Sequence, residues 1–305
     1  MKIYTDLYNR TIMYNIPGWC LDKLKSIDLE IVTEYDDDVN VYWGDLLTKD
    51  AVLNLPNLEW IHFPCVGVNR ALIPEVINKN ITVTNSPGIF SESVSSLALS
   101  YILYFSKGLN FVNKLRRENN LTRESFDKYI DYTKELNKTK CLIVGMGNIG
   151  HKLKDLLNSL DIEVVGLNSK NINELEKYVS QVDFVVNLLP LTDETKHMFD
   201  HKIFDKMKHD SYFISMGRGQ TVVEEDLIKS LKKGSILGCA LDVFNTEPLP
   251  KESELWRMDN VSITPHIANV SKSYWNTQIE LFISNVKRFR KNTKLLNTID
   301  LNKMY

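Results

Sequence analysis

Short apolar runs alternate with longer stretches of helical period along the chain, and they do so in two blocks. In the first block, Lys2–Thr5, Glu30–Thr33, Val39–Trp43, Trp60–Phe63 and Ile81–Thr84 have the length and residue types of strands, with helical segments such as Leu21–Ile27 and Ala71–Asn78 between them. The pattern restarts at Lys140. Strands are predicted at Cys141–Val144, Ile162–Gly166, Phe184–Leu188, Tyr212–Ser215, Ile236–Leu241 and Val261–Ile263, separated by helical segments such as Glu224–Lys233. Alternation of this kind predicts βαβ units, hence parallel sheets and an α/β fold with two units in tandem.

Ser91–Leu109 reads as a helix joining the blocks, with Ser91 and Ser93 available as caps near its start. Asn110–Asn137 is charged and polar with scattered apolar positions, which suits a helix and loop lying across solvent or a partner. Ser271–Lys291 is a long amphipathic segment whose place after the last strand lets it return to the first block.

Composition narrows the picture. A chain of 305 residues favours two domains, and 37 basic against 39 acidic residues leave no global attraction for nucleic acid or an anionic membrane. Cys20, Cys65, Cys141 and Cys239 are isolated in sequence, so neither a zinc site nor a disulfide framework is expected, and no metal is. The opening MKIYTDLYNR lacks the apolar core of a secretory signal, and the best apolar run, Leu97–Phe105, contains Ser100 and stops at Lys107. A cytoplasmic protein without a membrane span is the expectation.

The most informative segment is CLIVGMGNIGHKLKDLL, where a buried-strand run leads into Gly145, Gly147 and Gly150 and then into a helix. That context is what a dinucleotide needs: a tight turn at Gly145, close approach of the pyrophosphate at Gly147, and helix–strand packing at Gly150. The helix N-terminal N–H groups then face the phosphates. At the end of the next strand, where an acid would bind a ribose 2′-hydroxyl, the chain has Asn168, Ser169 and Lys170. Two hydrogen-bond donors and a cation suit a 2′-phosphate better, so NADP is expected over NAD.

Three further segments follow strands: SMGRGQTV with Arg218, ALDVFNTEPLP with Asp242 and Glu247, and ITPHIAN with His266. Singly, these read as a turn arginine, a Glu-Pro loop and a histidine beside proline. Together they fall at the carboxyl ends of parallel strands, the edge where open α/β sheets bind ligands. Reducing a 2-oxo acid requires a proton donor and fixed positive charge besides the hydride. A histidine oriented by a carboxylate supplies the first, and an arginine fork the second.

With PNLEWIHFPCVGVNR, VTNSPG, LIVGMGNIG, LLPLTDET, SMGRGQTV, ALDVFNTEP, TPHIAN and LLNTIDLNKMY in order, the chain resembles the D-isomer-specific 2-hydroxyacid dehydrogenases. The resemblance implies a Rossmann-type cofactor domain, residues 106–274, inserted into a flavodoxin-like substrate domain, residues 1–105 with 275–305. It implies that Arg218, Glu247 and His266 are catalytic, and that N–H groups near Val66 and Gly67 join Arg218 in binding the substrate. The cofactor is expected against Gly145, Met146, Gly147, Asn148, Ile149, Gly150, Asn168, Ser169, Lys170, Leu189, Pro190, Thr195, Met216, Gly217, Asp242 and His266.

The implied reaction interconverts a 2-oxo acid and a D-2-hydroxy acid, in the manner of a glyoxylate or hydroxypyruvate reductase, and the implied assembly is a homodimer. A dinucleotide-sensing binding protein or corepressor-like regulator on the same fold is the alternative. Cys65 stands where the family's substrate loop usually has glycine, and the acid after the second cofactor strand is absent. Tyr42, Trp43, Ile89, Phe90, Tyr274 and Trp275 are candidates to wall the pocket for the substrate side chain.

Overall fold

The computed structural model describes residues 1–8 and 15–301, so the last residues of the closing LLNTIDLNKMY segment, 302–305, lie outside the described residues. The chain folds as two compact units, Met1–Phe90 with Val270–Tyr305, and Ser91–Asn269.

The first unit contains β1 (Lys2–Thr5), α1 (Gly18–Lys25), β2 (Glu30–Val32), β3 (Val39–Trp43), α2 (Lys49–Leu53), β4 (Trp60–His62), α3 (Pro74–Asn78) and β5 (Thr82–Thr84). Its strands form a parallel sheet in the order β2-β1-β3-β4-β5, the flavodoxin-like arrangement. One face packs Tyr42, Ile61 and Val83 against Ala51, Val52 and Val76 of the helices. On the other, the final helix of the chain supplies Phe282, which stacks on Trp43 at 4.0 Å and on Trp60 at 5.5 Å. Residues 297–299 cover the β5 edge, where the Ile299 N–H donates to the Val83 carbonyl at 2.9 Å.

Two of the expected pocket walls are therefore core residues: Tyr42 and Trp43 are fully buried. Trp43 stands edge-on to Trp275, and the Tyr42 hydroxyl donates to the Asp6 carboxylate. A bulky ring at the end of a central strand fills the space between sheet and helix before it can wall a pocket.

His62 on β4 is also fully buried, with Nδ1 2.8 Å from the Thr84 hydroxyl and Nε2 3.2 Å from the Gln278 amide nitrogen. Burial pushes its pKa down to about 3, so the folded protein holds it neutral. The unfolded chain, with a histidine near 6.5, takes up the proton first. The stabilisation is thus complete above pH ~6.5 and declines as pH falls towards 3, by about 2 kcal/mol at pH 5. Urea titrations at pH 7.5 and pH 5.0 are expected to show this drop in the wild type and a smaller one in His62→Gln. Equal drops in both proteins would exclude His62 as the source.

The second unit begins with α4 (Ser91–Ser106), α5 (Leu109–Arg117) and α6 (Arg123–Asp127). It continues with β6 (Lys140–Val144), α7 (Asn148–Asn158), β7 (Glu163–Leu167), α8 (Leu175–Val179) and β8 (Phe184–Asn187). α9 (His201–Lys206), β9 (Tyr212–Ser215), α10 (Glu224–Lys233), β10 (Gly238–Leu241) and β11 (Val261–Ile263) complete it, and α11 (Tyr274–Arg290) belongs to the first unit. The second sheet is six-stranded and parallel, in the order β11-β10-β9-β8-β6-β7. The chain leaves β6 towards β7 and returns to β8 on its other side, so the crevice expected at such a reversal opens at the carboxyl ends of β6 and β8.

The units divide earlier than the expected boundary at residues 105 and 106. α4 packs along α7, and its Phe105 stacks on Tyr212 of β9 at 4.2 Å, so the whole helix belongs with the second sheet. The return likewise falls after Asn269 instead of residue 274. The helix predicted to run to Leu109 stops at Ser106, because Gly108 adopts φ +64° and starts α5 in a new direction. The Ser91 hydroxyl is buried without a partner, so it does not serve as the expected cap.

Candidate active site

The glycine turn links β6 to α7, and packing demands two of its three glycines. Gly145 has φ +111°, and a Cβ there would lie 2.8 Å from the Leu188 carbonyl carbon. At Gly150 a Cβ would lie 2.5 Å from the Gly145 carbonyl oxygen, so the missing side chain brings helix and turn into contact. At Gly147, which caps the helix, a Cβ would meet nothing within 4 Å. Protein packing does not demand that glycine, and the open space above it lies at the N-terminus of α7. The N–H groups of Asn148, Ile149 and Gly150 open that helix, where intrahelical acceptors are lacking and the dipole favours an anion.

Asn168, Ser169 and Lys170 follow β7 and are exposed. The Asn168 side-chain oxygen accepts the Lys170 N–H at 2.9 Å, and the Asn168 N–H donates to Asn171 Oδ1 at 2.8 Å. The turn thereby occupies the Asn168 oxygen and turns the donor side of its amide away from it.

After β8, the Leu189 N–H donates to Asn187 Oδ1 at 3.1 Å. Thr195 donates through its hydroxyl to the Pro190 carbonyl at 2.6 Å and accepts the Thr192 N–H at 2.8 Å, so it shapes the loop expected to face the cofactor. Met216 is buried, with its N–H on the Asn187 carbonyl at 3.0 Å. A Cβ on Gly217 would sit 2.4 Å from the Leu189 carbonyl oxygen, and one on Gly219 would sit 1.9 Å from that of Phe244. The glycines on either side of Arg218 let two neighbouring strand-end loops clamp its backbone. The guanidinium Nη1 donates to the Gly217 carbonyl at 2.9 Å.

The loops after β10 and β11 carry the other two groups. Asp242 is buried, and its Oδ1 accepts the Thr264 hydroxyl at 2.6 Å and the Ile267 N–H at 2.9 Å, while Oδ2 accepts the Ala268 N–H at 2.9 Å. Those bonds shape the turn in which His266 adopts the left-handed φ of +53°. The His266 Nδ1 lies 2.7 Å from Glu247 Oε2, and Glu247 Oε1 accepts the Phe244 N–H at 3.0 Å. A carboxylate only accepts, so Nδ1 donates to it and Nε2 is the ring nitrogen left outside this contact.

In the first unit, the loop after β4 has four consecutive carbonyls engaged. Pro64 accepts the Tyr274 hydroxyl at 2.7 Å, Cys65 the Ser86 N–H at 2.9 Å, Val66 the Asn85 amide at 2.8 Å and Gly67 the Cys65 thiol at 3.3 Å. In a trans peptide the N–H opposes the preceding C=O, so the Val66 and Gly67 N–H groups are directed away from those partners. Val66 itself is 42% exposed.

Residues 99–268 match the family model for the NAD binding domain of D-isomer specific 2-hydroxyacid dehydrogenases. The chain belongs to that family. It is an NAD(P)-linked oxidoreductase of 2-oxo and D-2-hydroxy acids. A glyoxylate reductase of Thermofilum pendens is 31% identical over 254 residues, spanning 79% of this chain and 75% of that protein. A D-isomer specific 2-hydroxyacid dehydrogenase from Xanthobacter autotrophicus Py2, solved with NADPH and MES, superposes with a TM-score of 0.84 at 23% identity, over 100% of both chains. An NADPH-dependent glyoxylate/hydroxypyruvate reductase from Sinorhizobium meliloti, solved with NADP and sulfate, gives a TM-score of 0.82 at 21% identity, over 100% of this chain and 99% of that one. At those identities the two structures speak for the fold.

Sequence reading passed over the residues that hold this dehydrogenase's loops: Asn187, Ser215, Thr221 and Thr264. Asn187 had a signal, since an amide inside the apolar run FVVNLLP must find partners when buried. Among the described residues no helix is long and apolar enough to cross a membrane, and no group of three or more potential metal ligands occurs.

Proposed function

We propose that the protein reduces small 2-oxo acids of the glyoxylate and hydroxypyruvate class with NADPH, with His266 as proton donor, Glu247 as its orienting carboxylate and Arg218 as the anchor for substrate oxygens. The observation that carries this reading is the 2.7 Å contact between His266 Nδ1 and Glu247, on the same sheet edge as an arginine clamped between two glycines. Names of relatives such as the Thermofilum pendens glyoxylate reductase support the substrate class.

The residues present fit a dinucleotide. The open space at Gly147, the N-terminus of α7 and the donors at Asn168, Ser169 and Lys170 suit a pyrophosphate and a 2′-phosphate in turn. The nicotinamide, when bound, supplies the hydride. The chain's own residues do the rest. The Val66 and Gly67 N–H groups and the Arg218 fork receive the substrate carboxylate, and Arg218 also polarises the 2-oxo group. His266 Nε2 gives its proton to the carbonyl oxygen, and Glu247 holds the ring in place by accepting the Nδ1 proton. Asp242 contributes by holding the His266 turn.

Turnover of glyoxylate, hydroxypyruvate, pyruvate and bulkier 2-oxo acids with NADPH and NADH tests this reading. Reduction of the small acids is expected. Tight dinucleotide binding with no reduction of any acid would leave a cofactor-sensing protein. Asn168→Asp is expected to move the NADPH to NADH preference towards NADH by at least tenfold, because a carboxylate there repels a 2′-phosphate. An unchanged ratio of kcat/KM values would assign the preference to another residue.

The assembly we propose is a homodimer joined through the segment after α4. Leu109, Leu121, Ile130 and Tyr132 there are exposed apolar residues.

A further inference from the structure

Asn187 ends β8 with no exposed surface, and its amide makes three hydrogen bonds, to the loop after β8, to the last residue of β9 and to the loop after β9. Nδ2 donates to the Ser215 hydroxyl at 3.1 Å and to the Thr221 hydroxyl at 2.8 Å, while Oδ1 accepts the Leu189 N–H at 3.1 Å. The Thr221 hydroxyl in turn donates to the Arg218 carbonyl at 2.6 Å. Thr221 has therefore spent its proton on Arg218 and can only accept from Asn187, which fixes the amide orientation.

The same loop tips meet in their backbones. Leu188 lies against the Gly145 turn and Leu189 against Gly217, at separations no side chain would permit. A fully satisfied buried network of this kind holds one geometry in a low-dielectric interior.

From this connectivity we infer that Asn187 and Thr221 are positioning residues for Arg218, setting the guanidinium relative to the glycine turn through the chain Asn187 Nδ2, Thr221 Oγ1, Arg218 carbonyl. Neither residue touches a reacting atom. Their effect passes through the direction in which the Arg218 backbone leaves the clamp, and a small misplacement of a polarising group costs catalysis steeply.

The inference rests on the role proposed above for Arg218, and the experiment separates the two. Thr221→Val keeps the shape and removes the hydroxyl; Thr221→Ser keeps the hydroxyl. Steady-state kinetics with glyoxylate and NADPH, fluorescence titration of NADPH, and thermal unfolding are measured for both, for Arg218→Lys, and for the double variant Thr221→Val with Arg218→Lys. The expected result is a ten- to hundredfold loss of kcat/KM for glyoxylate in Thr221→Val, an NADPH Kd within twofold of wild type, recovery in Thr221→Ser, and no further loss when Thr221→Val is added to Arg218→Lys. A normal kcat/KM in Thr221→Val, or losses that multiply in the double variant, would overturn the inference while leaving Arg218 as the anchor. An Arg218→Lys protein with wild-type kcat/KM would instead overturn the proposed role of Arg218. Should Thr221→Val not fold, Asn187→Ser is measured in the same way. It is expected to lose kcat/KM in the same range with an unchanged NADPH Kd, and a wild-type kcat/KM in it would equally overturn the inference.

Discussion

Replacing His266 with asparagine is expected to lower kcat for 2-oxo acid reduction by about 10³, within the 10²–10⁴ range for loss of a positioned general acid, while NADPH binding stays within a fewfold of wild type. Asparagine is the informative choice. His266 sits at φ +53°, where asparagine is tolerated far better than alanine, so the loop held by Asp242 survives and only the proposed proton donor is lost. Pre-steady-state mixing with NADPH and glyoxylate locates the loss in the chemical step. A variant that keeps more than a tenth of wild-type kcat, or loses cofactor affinity in equal measure, would make His266 a structural residue and remove the proton-transfer assignment.

Arg218→Lys keeps the charge and discards the planar fork. We expect kcat/KM for glyoxylate to fall by about 10²–10³, the cost of removing one preorganised donor from a developing oxyanion. Part of that loss should appear in KM, since in the proposed mechanism the same fork binds the carboxylate in the ground state. The glycines beside Arg218 leave its backbone no alternative path, so a lysine there cannot shift to compensate. Titration with glycolate or oxalate as inhibitors checks the binding component. Unchanged inhibition constants together with unchanged kcat would assign carboxylate recognition to the Val66–Gly67 loop alone.

Much of this architecture was legible in the chain. Strands such as Val39–Trp43, Tyr212–Ser215 and Val261–Ile263 fall where the apolar runs predict, and Tyr212–Ser215, buried along its whole length in the middle of the sheet, shows why: a strand covered on both faces is largely apolar. The helix Glu224–Lys233 matches its predicted limits, with three acids in its first turn and Gly234 in the left-handed conformation just after it. Helix limits were less legible where a glycine breaks one amphipathic stretch into two. Nothing in the sequence between Ser91 and Leu109 says that Gly108 will take a positive φ.

The local pattern of the sequence determined which segments become strands and helices, that the sheets are parallel, and which residue types gather at strand ends: Gly145 and Gly147, Arg218, Glu247 and His266. These follow from the period of side chains along one element and from steric rules at single residues, and both act over a few positions. Tertiary structure alone decided that Trp43 is core, that α4 belongs with the second sheet, and that Glu247 and His266, 19 positions apart, stand 2.7 Å from each other. It also decided that Asn187 bonds to the end of β9 and to the loop after it, 28 and 34 residues away. The reason is physical. Burial and hydrogen-bond partnership are properties of the packed chain, and a residue's letter records its capacity to bond without recording what it meets.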